Sequence, residues 1–112
     1  MNNKEKGNAG EQRAAFYLKT HFYKIIKMNY RCRIGEIDII AEKGGCLVFI
    51  EVKYRKNADM GYPYEAVTYG KQQRIKKVAA WYLMENDLGS VDCRFDVISI
   101  LGSKITHFKN AF

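Results

Sequence analysis

Three residues that can do chemistry interrupt two apolar segments of this 112-residue chain. Asp38 lies within GEIDIIA, and Glu51 and Lys53 lie within CLVFIEVKYR. Carboxylate oxygens are the ligands that Mg²⁺ and Mn²⁺ prefer, and a lysine beside them can orient or deprotonate a water bound to the ion. If the three side chains meet, the pattern indicates a site that hydrolyses phosphodiester bonds with Mg²⁺ as cofactor, or Mn²⁺ as its substitute.

The Gly44–Gly45 pair decides whether they meet, since two glycines can form the tight turn of a β-hairpin. A two-residue loop places Asp38 opposite Glu51 and Glu36 opposite Lys53. The other face then pairs apolar residues: Ile37 with Val52, Ile39 with Ile50 and Ala41 with Val48. Directly opposed carboxylates destabilise a sheet by up to about 1 kcal/mol, so we expect a divalent cation between Asp38 and Glu51.

The alternative to a metal site is an exposed row of charged side chains, in which Lys53 forms ion pairs with Asp38 and Glu51 on a solvated face of the sheet. Surface ion pairs of this kind are common and contribute about 0–1 kcal/mol. However, Ile40, Leu47 and Phe49 lie on the same face, so the acids border an apolar and covered region. The sequence therefore favours a site over a surface ladder.

The first helix can bring a further carboxylate. Asn8 is expected to cap a helix over about residues 9–21, with Glu11 at its third position as in a capping box. Glu11 also lies on the inward stripe of this helix, which continues with Ala14, Ala15 and Leu18. Two interpretations stay open for Glu11, a helix cap and a metal ligand.

The second long helix is expected to begin near Thr68. Its inner face carries five apolar residues: Ile75, Val78, Ala79, Tyr82 and Leu83. Lys71 and Gln72 lie in its first turn, in step with that face, where a helix N-terminus favours phosphate. They are expected either to point toward the acidic residues or to lie on the surface.

Strands account for most of the remaining chain. An alternating strand is expected over Ile26–Ile34, with its inner side formed by Ile26, Met28, Tyr30, Cys32 and Ile34. CRFDVISI and ITHF are two more, which gives the order helix, three strands, helix, strand and a last strand. Asp96 alternates with Arg94 along its strand and is interpreted as a cross-strand salt-bridge partner. His107 is interpreted as an ordinary strand residue.

Length and charge limit the classes of protein. The chain is expected to form one domain, residues 1–112, with a loose segment over residues 1–7. No segment resembles a membrane span or a signal peptide, so a cytoplasmic protein is expected. The three cysteines lack CxxC spacing and are expected to be small buried thiols rather than disulfides or zinc ligands: Cys32, Cys46 and Cys93.

The positive charge points to an anionic partner. A net charge of +7 favours nucleic acid, and a homodimer is left open. The residues expected to bind it are Lys27, Arg31, Arg33, Arg55, Lys71, Arg74 and Lys77. Tyr62, Tyr64 and Tyr69 interleave with the basic run and can add base stacking, although a solvated helix face is the commoner arrangement.

Several blocks in order resemble a known family: GEQRAAFYL, NYRCRIGEIDIIA, LVFIEVKYR, GYPYEAVTYGKQQR and RFDVISI with a terminal HFKNAF. Together they closely resemble the YraN-like family of small bacterial proteins. That family is similar to the PD-(D/E)XK, restriction-endonuclease-like superfamily and, in size and order, to archaeal Holliday-junction resolvases. The resemblance implies an α/β fold with an αβββαβ core, a mixed central sheet flanked by helices, and a Mg²⁺-dependent nuclease site.

The resemblance also assigns roles to individual residues. Asp38 and Glu51 match the two motif acids, Lys53 the motif lysine, Glu11 the acid of the first helix, and Gln72, with or without Lys71, the polar position of the following helix. The implied catalytic set is Glu11, Asp38, Glu51, Lys53 and Gln72. The expected metal ligands are Asp38, Glu51, the Val52 carbonyl and, through water, Glu11.

Three functions follow as hypotheses. The leading one is a Mg²⁺-dependent endonuclease that acts on DNA, including branched or damaged DNA. The second is a non-catalytic nucleic-acid-binding module with a nuclease-like fold, whose DNA binding would depend on salt but not on Mg²⁺. The third is a protein-interaction subunit that uses the apolar tail ITHFKNAF as a docking strand.

Overall fold

The computed structural model describes residues 3–59 and 61–112, with only the backbone of residues 3–8. Its elements are α1 (Asn3–Thr20), β1 (Lys24–Arg31), β2 (Glu36–Lys43), β3 (Cys46–Arg55), a 3₁₀ helix (Pro63–Ala66), α2 (Tyr69–Glu85), β4 (Asp92–Leu101) and β5 (Lys104–Phe108). The strands lie in the order β1-β2-β3-β4-β5. The β3–β4 pair is parallel, and β1–β2, β2–β3 and β4–β5 are antiparallel. The expected αβββαβ core with a mixed sheet is confirmed, and β5 extends it.

The first helix begins earlier than its capping pattern indicates. Because α1 starts at Asn3, Asn8 lies inside the helix and is not its cap, so the expected start near residue 9 is wrong. A local capping pattern cannot reveal that helix-forming residues upstream, such as Lys4 and Glu5, continue the same helix. The expected loose segment covered residues 1–7; residues 3–7 lie in α1, and residues 1 and 2 lie outside the described residues.

The hairpin forms with the expected register. Pairing runs from Lys43 with Cys46 to Ile39 with Ile50. Gly44 and Gly45 have φ values of 60° and 80°, which glycine adopts without strain. The two-residue loop is therefore confirmed.

Helices cover the sheet on both faces. On the α1 side, Leu18 packs against apolar strand residues that include Val48 and Ile50. On the α2 side, Val78 packs in a second cluster with Phe49. Within the described part of the chain, neither helix has the length and apolar character to cross a membrane.

The first strand differs from its alternation pattern. A bulge between Ile25 and Lys27 shifts the register of β1 against β2. It turns Ile25 toward the core, while Ile26 and Ile34 are each 39% exposed. The expected inner side of this strand is therefore wrong at Ile26, because the bulge changes side-chain parity, and at Ile34, because β1 ends at Arg31.

The cysteines are less buried than expected. All three are free thiols; Cys32 and Cys46 are partly buried, and Cys93 is exposed. The expectation of three buried thiols is therefore wrong, most clearly for Cys93 at the beginning of β4.

A buried polar cluster fastens the C-terminal segment. Asp96 is 0% exposed and accepts hydrogen bonds from Arg94 Nε at 2.9 Å and from the Asn110 backbone N–H at 2.9 Å. His107 Nε2 lies 2.7 Å from Asp96 Oδ2, and His107 Nδ1 lies 3.1 Å from the Tyr17 hydroxyl. The interpretation of His107 as an ordinary strand residue is therefore wrong.

The C-terminal tail is already used within the chain. Residues of β5 pair antiparallel with β4, from Leu101 with Lys104 to Val97 with Phe108. The Ala111 N–H then donates to the Phe95 carbonyl at 2.7 Å. The segment expected to dock onto a partner is thus an integral edge of this sheet.

Candidate functional site

The site lies at the point where pairing between β2 and β3 ends. The last paired residues are Ile39 and Ile50. Beyond them, the Asp38 carboxylate, rather than a backbone carbonyl, accepts the Val52 N–H at 2.8 Å. Ile37 packs in the α2-side cluster, whereas Val52 packs on the α1 side, so the expected Ile37–Val52 pair is wrong.

Asp38 and Glu51 nevertheless come together. They are 7% and 5% exposed, and their side chains are in hydrogen-bond contact. Burial, then the charge of Asp38 and the shared hydrogen bond, raises the pKa of Glu51 to about 8. The alternative of an exposed, solvated ladder is therefore wrong, and in the absence of a cation this carboxyl pair holds a proton near neutral pH.

Two lysines converge on Glu51. Lys71 Nζ lies 3.3 Å and Lys53 Nζ lies 3.7 Å from Glu51 Oε1. Burial and the neighbouring Lys71 lower the pKa of Lys53. Burial also acts to lower the pKa of Lys71, but contact with Lys53 and the carboxylates of Glu51 and Asp38 outweighs it and raises that pKa. Lys53 is therefore the lysine that releases its proton more readily.

The backbone explains why Lys71 reaches this position. It lies in the first turn of α2, where Thr68 Oγ1 accepts the Lys71 N–H at 3.3 Å and caps the helix. The expected helix start near Thr68 is confirmed. Of the two residues proposed for the polar helix position, Lys71 is the one whose contact with Glu51 is observed.

Gln72 points to a different environment. Its Nε2 donates to the Val67 carbonyl at 3.2 Å, which ties the helix to the preceding loop. The side chain also lines a cavity with Tyr64 and Phe108. A positioning role for Gln72 stays a prediction.

Glu11 reaches the site from α1. It is partly buried, and its carboxylate is hydrogen-bonded by the side chains of Asn29 and Asp38. Burial, followed by the charge of Asp38, raises the pKa of Glu11 to about 7. A Cβ on Gly10 would lie 3.2 Å from Tyr54 Cβ, so glycine permits the close approach of α1 to β3.

Sequence reasoning missed Asn29. This residue has a φ of 53°, in the left-handed region that asparagine tolerates better than most residues. Its side chain bonds to Glu11 and thereby helps to hold that carboxylate next to Asp38. An asparagine within an otherwise alternating strand was the available signal.

Basic residues line the opening of the site. A cavity of about 220 Å³ is bounded by Glu36, Glu51, Lys71 and Arg74 together with Gly35 and Ile75. Lys27, Arg33 and Lys77 are exposed and Arg55 is partly buried. The expected pair of Glu36 with Lys53 is wrong, because the ladder between β2 and β3 ends at Ile39 and Ile50. Glu36 pairs instead with Arg31 of β1, and its Oε2 accepts a hydrogen bond from Arg31 Nε at 2.9 Å.

The donor set suits a hard cation that keeps its own waters. Among residues 3–59 and 61–112, no group of three or more His, Cys, Asp or Glu side chains is arranged to hold a metal by itself. Mg²⁺ does not need such a cage, since it is bound through one or two carboxylates plus water and substrate phosphate. Asp38 and Glu51 fit that requirement, and ligation by the Val52 carbonyl and Glu11 stays a prediction.

The fold and this cluster define a class: mixed α/β proteins with an αβββαβ core that gathers carboxylates and lysines where two hairpin strands part. The chain belongs to the family described as "Uncharacterised protein family UPF0102", whose model matches residues 10–100. This confirms the YraN-like resemblance.

Relatives of similar length support the assignment. A UPF0102 protein of Lachnoclostridium phytofermentans is 51% identical over 100% of this chain and 96% of its own length. Those of Clostridioides difficile and Caldicellulosiruptor saccharolyticus are 47% and 41% identical, each over 100% of both proteins. The similarity therefore includes every element that builds the cluster.

The raised pKa of Glu51 predicts how stability depends on pH without metal. Because this pKa is about 8 against an ordinary value of 4.5, the folded protein holds the proton more tightly than the unfolded chain. The stabilisation is complete below the ordinary value and is lost as pH rises through the folded value, by about 1.4 kcal/mol per pKa unit. Urea unfolding in EDTA, at pH values from below 4.5 to above 8, measures this loss.

Replacement of the Glu51 carboxyl by a neutral amide tests whether this group causes the pH dependence of stability. Glu51→Gln is expected to flatten the pH dependence, whereas Glu42→Gln, at an exposed position on β2, keeps that of the parent. Addition of Mn²⁺ at high pH is expected to stabilise the parent and not Glu51→Gln. An unchanged slope in Glu51→Gln would contradict the assignment of the proton to this carboxyl pair.

Proposed function

We propose that this protein is a Mg²⁺-dependent nuclease that hydrolyses phosphodiester bonds in DNA, including branched or damaged DNA, in the cytoplasm. The observation that carries the proposal is the buried contact of Asp38 with Glu51, with Lys53 Nζ 3.7 Å from Glu51. A buried carboxylate pair is unfavourable when both members are charged, and a divalent cation relieves that cost.

Each residue of the cluster has a chemical task in this proposal. Asp38 and Glu51 would hold the ion, which would supply Lewis acidity and an activated water. Lys53, whose pKa is lowered, would orient that water and accept its proton. Lys71 would offset charge at the phosphate, and Glu11 would support the ion through water.

Charge supports DNA as the substrate. The chain carries a net charge of +7, and Lys71 and Arg74 line the opening beside Glu51. Phosphate contacts by such residues provide affinity without reading sequence, which suits a nuclease that recognises structure.

One experiment tests the activity directly. Linear, nicked, single-stranded and four-way-junction DNA are incubated with Mg²⁺, Mn²⁺ or EDTA, and the products are separated on denaturing gels. Cleavage that requires the cation supports the proposal. The absence of metal-dependent cleavage on every substrate would contradict it.

Loss of the lysine is expected to slow cleavage without abolishing DNA binding. Lys53→Ala removes the proposed proton acceptor, so single-turnover cleavage should fall by about 10²–10⁴-fold. Lys24→Ala is the matched control, because Lys24 is exposed and lies at the opposite end of β1 from Arg31. A rate for Lys53→Ala equal to that of Lys24→Ala would remove Lys53 from the mechanism.

A specific observation favours the non-catalytic binding module as a second candidate. Within the described residues, every buried polar side-chain atom has a hydrogen-bond partner without any ion. The cluster can therefore serve as a satisfied structural network, with DNA bound by the surrounding cations. This candidate predicts DNA binding that weakens with salt and is unaffected by Mg²⁺ or EDTA.

A further inference from the structure

A cavity with aromatic walls lies next to the carboxylate cluster. Its volume is about 410 Å³, and Tyr64, Phe108 and Phe112 line it. The ring centroids of Tyr64 and Phe108 are 5.3 Å apart, and these side chains belong to residues that are 43% and 37% exposed. Aromatic surface that remains open to solvent beside basic residues is a feature of surfaces that bind single-stranded nucleic acid.

The sheet register places this cavity directly beside the proposed active site. Val97, which lines the cavity, is the parallel partner of Glu51, and neighbouring strands lie about 4.8 Å apart. Gln72, on another wall, directly follows Lys71, whose ammonium contacts Glu51. A nucleotide with its phosphate at Glu51 and Lys71 would therefore have its base within reach of the cavity.

A second hollow continues the same surface. It has a volume of about 180 Å³ and shares Tyr64 and Phe108 with the first cavity. Ser99, which lines it, is the partner of Lys53 in the parallel register, so the second hollow follows β4 past the next site residue. Tyr62 stacks on Tyr64 with ring centroids 5.7 Å apart, which lengthens the aromatic row.

We propose that the cavity beside Val97 binds an unstacked nucleobase of the DNA strand whose phosphate lies at the carboxylate and lysine cluster. The position of that phosphate rests on the proposed function. Tyr64 and Phe108 provide rings on which the base stacks, and Lys109, at the rim, lies near its backbone. Lys109 lines the first cavity and Lys104 the second, and this positive charge favours a nucleic acid over an apolar peptide as the occupant.

A cavity that binds a single base narrows the class of DNA substrates. A base within a continuous duplex must unpair and unstack before it can enter a cavity, whereas an unpaired base enters without that cost. Single strands, flaps and the unpaired nucleotides at branch points are therefore the preferred substrates. Intact duplex is expected to bind more weakly at the same salt concentration.

Binding is tested separately from cleavage. A single-stranded oligonucleotide that contains 2-aminopurine is titrated with protein in EDTA, and stacking on aromatic rings is expected to quench its fluorescence. Tyr64→Leu and Phe108→Leu, which keep apolar bulk but remove the ring, should each weaken binding by about 5- to 100-fold. Phe16→Leu is the matched control, because Phe16 is 71% exposed on α1, across the sheet from the cavity.

The unaltered protein provides a second measurement that does not depend on the folding of a variant. An oligonucleotide with abasic nucleotides should compete less well for the parent protein than the same strand with its bases. Equal competition, or equal affinity of Tyr64→Leu, Phe108→Leu and Phe16→Leu, would overturn the base-binding cavity.

Cleavage in Mg²⁺ then separates the two proposals. If Tyr64→Leu no longer quenches the fluorescence and the parent cleaves no DNA, the base-binding proposal would stand and the nuclease proposal would be contradicted. If the parent shows metal-dependent cleavage, and Tyr64→Leu cuts flap and duplex DNA at the same rates as the parent, the nuclease proposal would stand and the base-binding proposal would be contradicted.

Discussion

Replacement of Glu51 by glutamine is expected to lower DNA cleavage by about 100-fold or more while DNA binding remains. Glutamine keeps the size of the side chain, but it cannot act as an anionic ligand beside Asp38. Loss of a group that merely supports a metal ligand already costs about 10–100-fold in metal affinity or activity, so loss of a direct ligand should cost no less.

Single-turnover cleavage and calorimetric Mn²⁺ titration with oligonucleotide present measure the effect. Glu42→Gln is the control, since it makes the same chemical change at an exposed position on the neighbouring strand. We expect this control to behave as the parent in both measurements. Equal cleavage by Glu51→Gln and the parent would remove the enzyme assignment.

The hairpin could be predicted because local signals agreed with one another. Gly44 and Gly45 fix the turn, and alternation then fixes every pair from Lys43–Cys46 to Ile39–Ile50. The end of the ladder could not be predicted, because the Asp38 carboxylate competes with the backbone for the Val52 N–H. The alternation of apolar and polar residues along a strand does not show where a side chain replaces a backbone carbonyl as hydrogen-bond acceptor.

Contacts between residues that are distant in sequence also could not be predicted. The hydroxyl of Tyr17 and the ring of His107 are 90 residues apart in sequence and 3.1 Å apart in the fold. Within β5, no charged or aromatic residue lies two positions from His107 on the same face of the strand. The burial of His107 therefore depends on its contact with Tyr17 of α1. Positions of this kind require the tertiary arrangement, whereas Lys53 could be placed from Glu51 alone.

Glu51 and Asp96 differ in the direction of their pH effects on stability. Burial acts to raise the pKa of Asp96, but hydrogen bonds from His107, Arg94 and the Asn110 N–H outweigh it and lower that pKa. The stability that Asp96 contributes is therefore present above the ordinary pKa of an aspartate and is lost as pH falls through the folded value. Glu51 acts in the opposite sense, so the metal-free protein should be most stable between the two ranges.

Replacement of Asp96 by alanine is expected to be the most destabilising of these substitutions, by about 3–5 kcal/mol. The aspartate is 0% exposed, and its removal leaves Arg94 and His107 without their shared partner inside the fold. The Asn110 N–H also loses its acceptor, which should release the C-terminal segment from β4.

Urea unfolding at neutral pH measures this loss, with Asp92→Ala as the matched control because Asp92 is exposed on the same strand. Asp96→Ala should also lose the part of the acid sensitivity that the parent owes to this carboxylate. A midpoint equal to that of Asp92→Ala would mean that the Arg94 and His107 contacts contribute no net stability, and that the tail is held by packing of Phe112 on Phe95 instead.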